Sequence, residues 1–384
     1  MQKSRRSSIG KALAILPLGA LTTLLAGCGP PATLLGFKDS AHSPRIRMSC
    51  YATATVGTVW VDPAGLGTHG YRSGRKEKNG ILYTCRGGHI DIPHVRKAAD
   101  WTAYLAQKAL TRLKRGDTRF SFKLWEPSRY FVTFEYPPGW GRLAQAEKER
   151  IAREISIPLG QYLAFNALTW HEILTWFGYR PTPWYPEFPS AFSWEDTFSN
   201  FLGTRLAVQA MRDTQRTYDE AMTVALDEEL RRLGAQPRDL AIRAAKAVNG
   251  TWYTGEFLFL VDIKKRNLDI GLDDGLITPS IVPDVAECPD AQPQSYPAPS
   301  LDFLSEYGFS VKFEIEPREL EKGKILKIVY PDRKDRKKRI RPEVHFAPIM
   351  ERIRQEAVRK YDAAMYPEPQ TPPTDATGRT TAQR

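Results

Sequence analysis

The stretch ILYTCRGGHIDIPHVRKAADWTAYLAQKALTRLK, residues 81–114, changes from one backbone type to another within a few residues. Ile81 to Thr84 is a short β-branched and aromatic run that reads as a strand, and Gly87-Gly88 marks a turn. Asp91 then has the chemistry of a helix N-cap, with Pro93 in the first turn. Val95, Ala99, Thr102, Leu105, Ala109 and Leu113 keep helical spacing, which predicts a helix through about Lys114. A strand passing through a turn into a helix start is a favoured place for functional groups. Free N–H groups and the positive helix end meet side chains arriving from the loop there.

Outward from this unit, Met48 to Val61 reads as a strand, and Thr118–Trp125 with Tyr130–Tyr136 as a hairpin around Glu126-Pro127-Ser128. A mostly helical block runs from Leu143 to about Val248, with breaks expected at Pro158 and across Pro181 to Pro189. Strands are expected at Phe257–Asp262, Ser310–Ile315 and Ile325–Tyr330, then a last helix from about Glu343 to Tyr361. This order predicts an α+β fold, antiparallel strands flanking a central mostly helical block, as a single compact domain over residues 46–366. A composition of 42% hydrophobic and 11% aromatic residues supplies a core and excludes a disordered chain. Residues 367–384, a polar Pro/Thr tail, are expected to be disordered.

The amino terminus reads as a secretory leader over residues 1–27. Lys3, Arg5, Arg6 and Lys11 form a basic n-region before the apolar run Ala12–Ala26, which is too short and too Pro/Gly-broken to span a membrane comfortably. Leu25-Ala26-Gly27-Cys28 resembles the site where a lipoprotein signal peptidase cuts, so lipidation is expected on Cys28, with residues 28–45 as a tether. The Arg5-Arg6 pair raises twin-arginine export, although Ser8 stands where that motif resembles a Phe position. Gly29 after Cys28 favours the periplasmic face of the outer membrane. The formal net charge is +11, and four of the basic residues lie within the first 27, so the remainder carries +7. That modest excess makes no case for nucleic acid. Beyond Cys28 the cysteines are Cys50, Cys85 and Cys288, and a Cys50–Cys85 bridge with Cys288 free, or the reverse, is the simplest expectation.

Three segments hold candidate chemistry. In Gly87–Arg96, His89, Asp91 and His94 are spaced so that two or three converge on one metal or substrate, with Arg96 close by, while Asp91 is equally complete as a cap. In Phe165–Gly178, an apolar helix carries His171-Glu172, a pair that burial makes costly unless something binds it. The zincin pattern His-Glu-x-x-His needs a second histidine where this chain has Thr175. In Ser190–Gly203, Ser193 with Asp196 approximates a capping box. There, Glu195 and Ser199 share one helix face, and Asp196, Asn200 and Gly203 the next, where a glycine invites close approach of another element. The acidic loop Asn267–Gly275 lacks EF-hand spacing and reads as a turn, and the basic run Arg333–Arg341 as a solvated loop.

Together the Cys28 lipobox, Gly87-Gly88-His89-Ile90-Asp91 with His94-Val95-Arg96, Trp170-His171-Glu172-Ile173, Phe192-Ser193-Trp194-Glu195-Asp196 and Leu268–Gly275 resemble a family of bacterial envelope lipoproteins whose domain has no assigned function. The resemblance covers about residues 45–350, implies one domain in the cell envelope, and brings no activity with it. The sites themselves lead to a periplasmic hydrolase of an envelope component. In it, His94, His171, Asp91 and Glu195 hold Zn²⁺ or another divalent metal, and Glu172, with His94 and Glu195, does the acid-base work. A variant uses reduced Cys85 as nucleophile with His94 as base. The alternative is a non-catalytic lipoprotein that binds glycan, lipid or a protein partner through a surface such as Trp176 to Trp184.

Overall fold

A computed structural model describes residues 43–180 and 188–366 of the chain. The expected leader, Cys28, the tether up to residue 42, residues 181–187 and the tail at 367–384 lie outside the described residues. The elements run β1 (Ile81–Thr84), β2 (Gly88–Asp91), α1 (Ile92–Arg115), β3 (Arg119–Phe122), β4 (Arg129–Glu135), α2 (Gln145–Trp176), α3 (Asp196–Arg212), α4 (Tyr218–Arg232), β5 (Ala235–Gln236) and α5 (Arg238–Ala247). Then come β6 (Tyr253–Thr254), β7 (Asp262–Ile263), β8 (Leu276–Ile277), β9 (Tyr296–Pro297), β10 (Ser310–Glu316), α6 (Lys322–Val329) and α7 (Pro342–Lys360). The architecture is α+β, with small antiparallel sheets around a central helical block. Among the described residues no helix is long and apolar enough to cross a membrane.

The hub is α1. Asp91 caps its start, Pro93 sits in its first turn, and Gly116 at φ 72° ends it by returning its N–H to the Arg112 and Leu113 carbonyls. Two glycines let neighbouring helices reach it. A Cβ on Gly160 of α2 would stand 2.7 Å from the Thr102 carbonyl oxygen, and one on Gly203 of α3 would stand 2.1 Å from the Val95 carbonyl oxygen. Both helices therefore lie on α1 closer than any side chain permits, and α1 is buried along most of its length. Each fully buried Leu, Ile or Phe in this block contributes about 1.5–3 kcal/mol.

Two three-stranded sheets flank the helices. β2-β1-β5 is antiparallel, with Tyr83 opposite His89 on one edge and Gln236 on the other. In β10-β4-β3, Phe313 pairs with Val132, and Val132 with Phe120. Alternate residues of β4 (Tyr130, Val132, Phe134) turn inward, as period 2 requires.

Several expected elements differ. Met48–Val61 is irregular, and its only β-type pairings among the described residues are isolated bridges, Val56 to Phe257 and Trp60 to Ile81. Gly57 at φ 104° and the mutually bonded Thr53, Thr55 and Thr58 hydroxyls break the strand that its β-branched residues suggested. α2 passes Pro158 without ending, because the burial of Ile155, Leu159, Leu163 and Gly160 against α1 outweighs one lost backbone hydrogen bond. The expected strand Ile325–Tyr330 is helical through Val329, with Tyr330 as the cap that ends the helix. Ile325, Leu326 and Val329 form a helical stripe against α7. The expected strand at Phe257–Asp262 shrinks to β7 after a single helical turn.

Gly203→Ala forces a backbone clash and is expected to cost about 1–3 kcal/mol or more in urea unfolding. Gly323→Ala in α6, where no atom lies within 4 Å of the added Cβ, serves as control and is expected to hold or raise stability. Equal effects would sink the close-approach account.

Candidate metal centre

Asp91 uses its two oxygens differently at the β2–α1 junction. Its Oδ1 accepts the His94 N–H at 3.2 Å, as a cap does. Its Oδ2 lies 2.6 Å from His94 Nδ1 and also accepts the Ser49 hydroxyl. Asp196, the first residue of α3, approaches from the other side, with Oδ1 2.8 Å from the same Nδ1. The Asp91 N–H meanwhile donates to Ser199 Oγ at 2.9 Å, which ties α3 to the junction. His94 Nδ1 is thus buried between two carboxylate oxygens without hydrogen-bond alignment to either. The donor atoms of Asp91, His94 and Asp196 all lie within 4.8 Å of one another. Three convergent N and O donors suit a divalent ion of the Zn²⁺ type, which takes three protein ligands and keeps a position open.

Charge arranges itself accordingly. Burial lowers the His94 pKa, but Asp91 and Asp196 outweigh it and hold it at about 10. An imidazolium is then the cation these carboxylates gather for themselves, and metal binding exchanges that proton for an ion. Burial raises the Asp196 pKa, but His94, Lys97 and Ser193 together outweigh it and leave the carboxyl below its ordinary range. Glu195 is pushed up to about 8 by burial and by the neighbouring Asp196. Its Oε1 accepts the Ala52 N–H at 3.0 Å, while its buried Oε2 has no hydrogen-bond partner. Glu172, raised by burial and by Asp196, accepts the Phe192 N–H at 2.9 Å.

His171 goes elsewhere. Its Nδ1 lies 2.7 Å from Glu126 Oε1, and its ring stands edge-on to Trp125 at 5.4 Å. Of the expected set His94, His171, Asp91 and Glu195, only His94 and Asp91 converge, and Asp196 completes the trio. The reason is helical geometry. His171 and Glu172 are successive residues about 100° apart, so one meets the Glu126 turn while the other meets Phe192. That turn is anchored by Ser128, whose N–H and hydroxyl donate to Glu319 at 2.7 and 2.8 Å. Lys97, one turn after His94, is buried near Glu172, Asp196, Asp91 and Glu126. Burial, which those acids oppose, lowers its pKa.

The other candidates are used structurally. His89 Nε2 bonds the Ala241 carbonyl at 3.1 Å, which leaves Nδ1 to accept the Trp194 Nε1–H at 3.4 Å. Burial holds it neutral, with a pKa of about 4. Arg96 turns to the opposite side of α1 and binds the Leu66 and Lys78 carbonyls. Ser193 serves through its backbone carbonyl, which accepts the Asp196 N–H at 2.9 Å. Cys85 is bonded to Cys288, not to Cys50, so it is no nucleophile, and among the described residues Cys50 is the free thiol. The pairing follows from packing, since the Gln294 N–H on the Arg86 carbonyl (2.8 Å) lays residues 288–294 beside the β1–β2 turn. Trp176 is buried with its Nε1–H on Glu356 Oε2, and Trp184 lies outside the described residues. In the Asn267–Gly275 loop, Asp269 is occupied by the Gly271 and Thr278 N–H groups.

Sequence reasoning missed Glu126, Lys97 and Ser49. Glu126 sat in what read as a plain turn. The one available signal for Lys97 was a lysine on the apolar face of α1, three residues after His94.

On the unfolded, unreduced chain, a thiol reagent is expected to modify Cys50 and to spare Cys85 and Cys288. Cys85→Ser is expected to lower stability by about 2–5 kcal/mol while leaving any activity of the folded protein intact. Loss of activity in a folded Cys85→Ser variant would overturn this assignment.

No curated protein and no solved structure matches the chain. The family model described as "Protein of unknown function (DUF4056)" matches residues 59–259, a span that holds Asp91, His94, Lys97, Glu126, His171, Glu172, Glu195 and Asp196, and the chain belongs to that family.

Proposed function

We propose that the chain is a metal-dependent hydrolase, tethered through lipidated Cys28 at the periplasmic face of the outer membrane and acting on an envelope component. The observation that carries the enzymatic part is His94 Nδ1, 2.6 Å from Asp91 Oδ2 and 2.8 Å from Asp196 Oδ1, without hydrogen-bond alignment to either. Asp91, His94 and Asp196 are the residues that would hold the ion. A divalent ion there supplies Lewis acidity toward a scissile carbonyl or phosphoryl group. Glu195, with Oε1 fixed by the Ala52 N–H, Oε2 without a partner and a raised pKa that favours its protonated form, would serve as the acid that gives a proton to the leaving group. Glu172 is oriented by the Phe192 N–H and adds negative charge beside the donors. The anchorage is supported by the basic n-region, the apolar run and the small residues before Cys28.

Dialysis of the purified protein against Zn²⁺ or Mn²⁺, followed by elemental analysis, is expected to give one equivalent of metal per chain. His94→Ala and Asp196→Asn are expected to lose it, while His171→Ala keeps it. A metal-free wild type refutes the metal reading, and equal loss in His171→Ala refutes this donor set. Cys28→Ser is expected to release the protein from the membrane fraction, and retention there would overturn the anchorage.

A further inference from the structure

Lys97 is the least explained charge in the molecule. It follows His94 by three residues on α1, so both side chains look toward the same wall. It is 9% exposed, and its ammonium makes no hydrogen bond or ion pair among the described residues, lying only over the Trp125 ring, 5.4 Å from its centroid. Most of the side chain is buried while the ammonium lies at the edge of the interior, where a charge without a protein partner is open to one from outside. The four acids around it each face another group, although both Glu126 oxygens lack an aligned hydrogen bond. Asp91 and Asp196 hold His94, Glu126 holds His171, and Glu172 is bonded by Phe192.

The surroundings leave access. Trp125 is 37% exposed and stands between Trp101, 5.8 Å away, and His171, 5.4 Å away. Lys97 and the part-exposed His171 thus flank an aromatic rim that opens to solvent. A divalent ion on the His94 trio, with Lys97 and a charged His171, would offset the charges of Asp91, Asp196, Glu126 and Glu172. The Glu126 carboxylate, opposing burial, raises the His171 pKa and so favours its charged form.

We propose that Lys97, Trp125 and His171 form a subsite for an oxyanion of the substrate, a carboxylate or a phosphate, next to the metal donors. The substrate of the proposed hydrolase is then an anionic one, and in this respect the inference rests on the metal reading. Lys97 supplies the charge, and Trp125 shields it from water and gives the ligand a flat apolar wall.

The test is calorimetric titration of the Zn²⁺-loaded protein with inorganic phosphate and with acetate. Lys97→Met is expected to weaken anion binding about tenfold or more with Zn²⁺ affinity unchanged. Lys97→Arg is expected to stay within a few-fold of wild type. Trp125→Ala, at the rim, is the second variant if Lys97→Met does not fold, and it is expected to weaken the same binding. Tighter phosphate than acetate assigns a phosphoryl group, and the reverse assigns a carboxylate. Unchanged anion affinity in folded Lys97→Met, with Zn²⁺ bound, overturns the subsite alone. If wild type binds no Zn²⁺, the metal reading falls, and the same titration of the metal-free protein decides the subsite. Binding that Lys97→Met abolishes keeps it, and no binding ends it.

Discussion

A Cβ at residue 203 would stand 2.1 Å from the Val95 carbonyl oxygen, so α3 meets α1 backbone to backbone at the residue next to His94. Asp196 and Gly203 are seven residues apart on α3, which returns them to the same face, and Ser199 lies between them on that stripe. The contact at Gly203 therefore sets the height and rotation of α3 at which Ser199 receives the Asp91 N–H and Asp196 reaches His94. The site depends less on the strength of its polar contacts than on a packing constraint elsewhere along the same helix. A methyl group at residue 203 would lift the whole stripe, and the trio would open with it.

The two sides of α1 show how buried charge is handled with and without a task. On the side of Arg96, Arg47 meets Asp100 at 2.6 Å and Glu77 at 3.0 Å, and His69 adds a second contact to Asp100 at 2.9 Å. Every carboxylate in that network is matched by a guanidinium, which is what low-dielectric burial demands of a purely structural cluster. On the side of His94, the carboxylates outnumber their cations, one Glu195 oxygen has no partner, and Lys97 pairs with none of the acids around it. An imbalance that would be a defect in the first network is the mark of a site waiting for charge in the second.

The strand-turn-helix unit at residues 81–114 was legible because each signal in it is local. β-branched residues, two glycines, a cap and a proline act within a few residues of one another. The strand at Met48–Val61 and the break at Pro158 misled because tertiary burial and hydroxyl bonding decide those segments, and neither leaves a periodic trace. In the site, Asp91 and His94 were readable from their spacing. Asp196 was placed on a different helix face from Ser199, yet α3 turns both toward α1. The i,i+3 and i,i+4 neighbours of a helix residue straddle its axis, and only the partner element selects between them. Glu126 lies far from α2 in sequence, and its role exists only because Ser128 and Glu319 hold its turn against His171.

The N-terminal segment adds a constraint of a different kind. Ser49 donates to Asp91, and the Ala52 N–H donates to Glu195, so residues 49–52 lie across the donors and hold two of the carboxylates in place. On the proposed anchorage, this strap is also the end of the leash, because 20 residues lie between Cys28 and Ser49. Such a length spans at most about 70 Å when fully extended. The first segment to enter the fold would thus bring the membrane within reach of the metal donors. On these proposals an anionic envelope component is the substrate that the tether, the Lys97 subsite and the metal trio would meet at once.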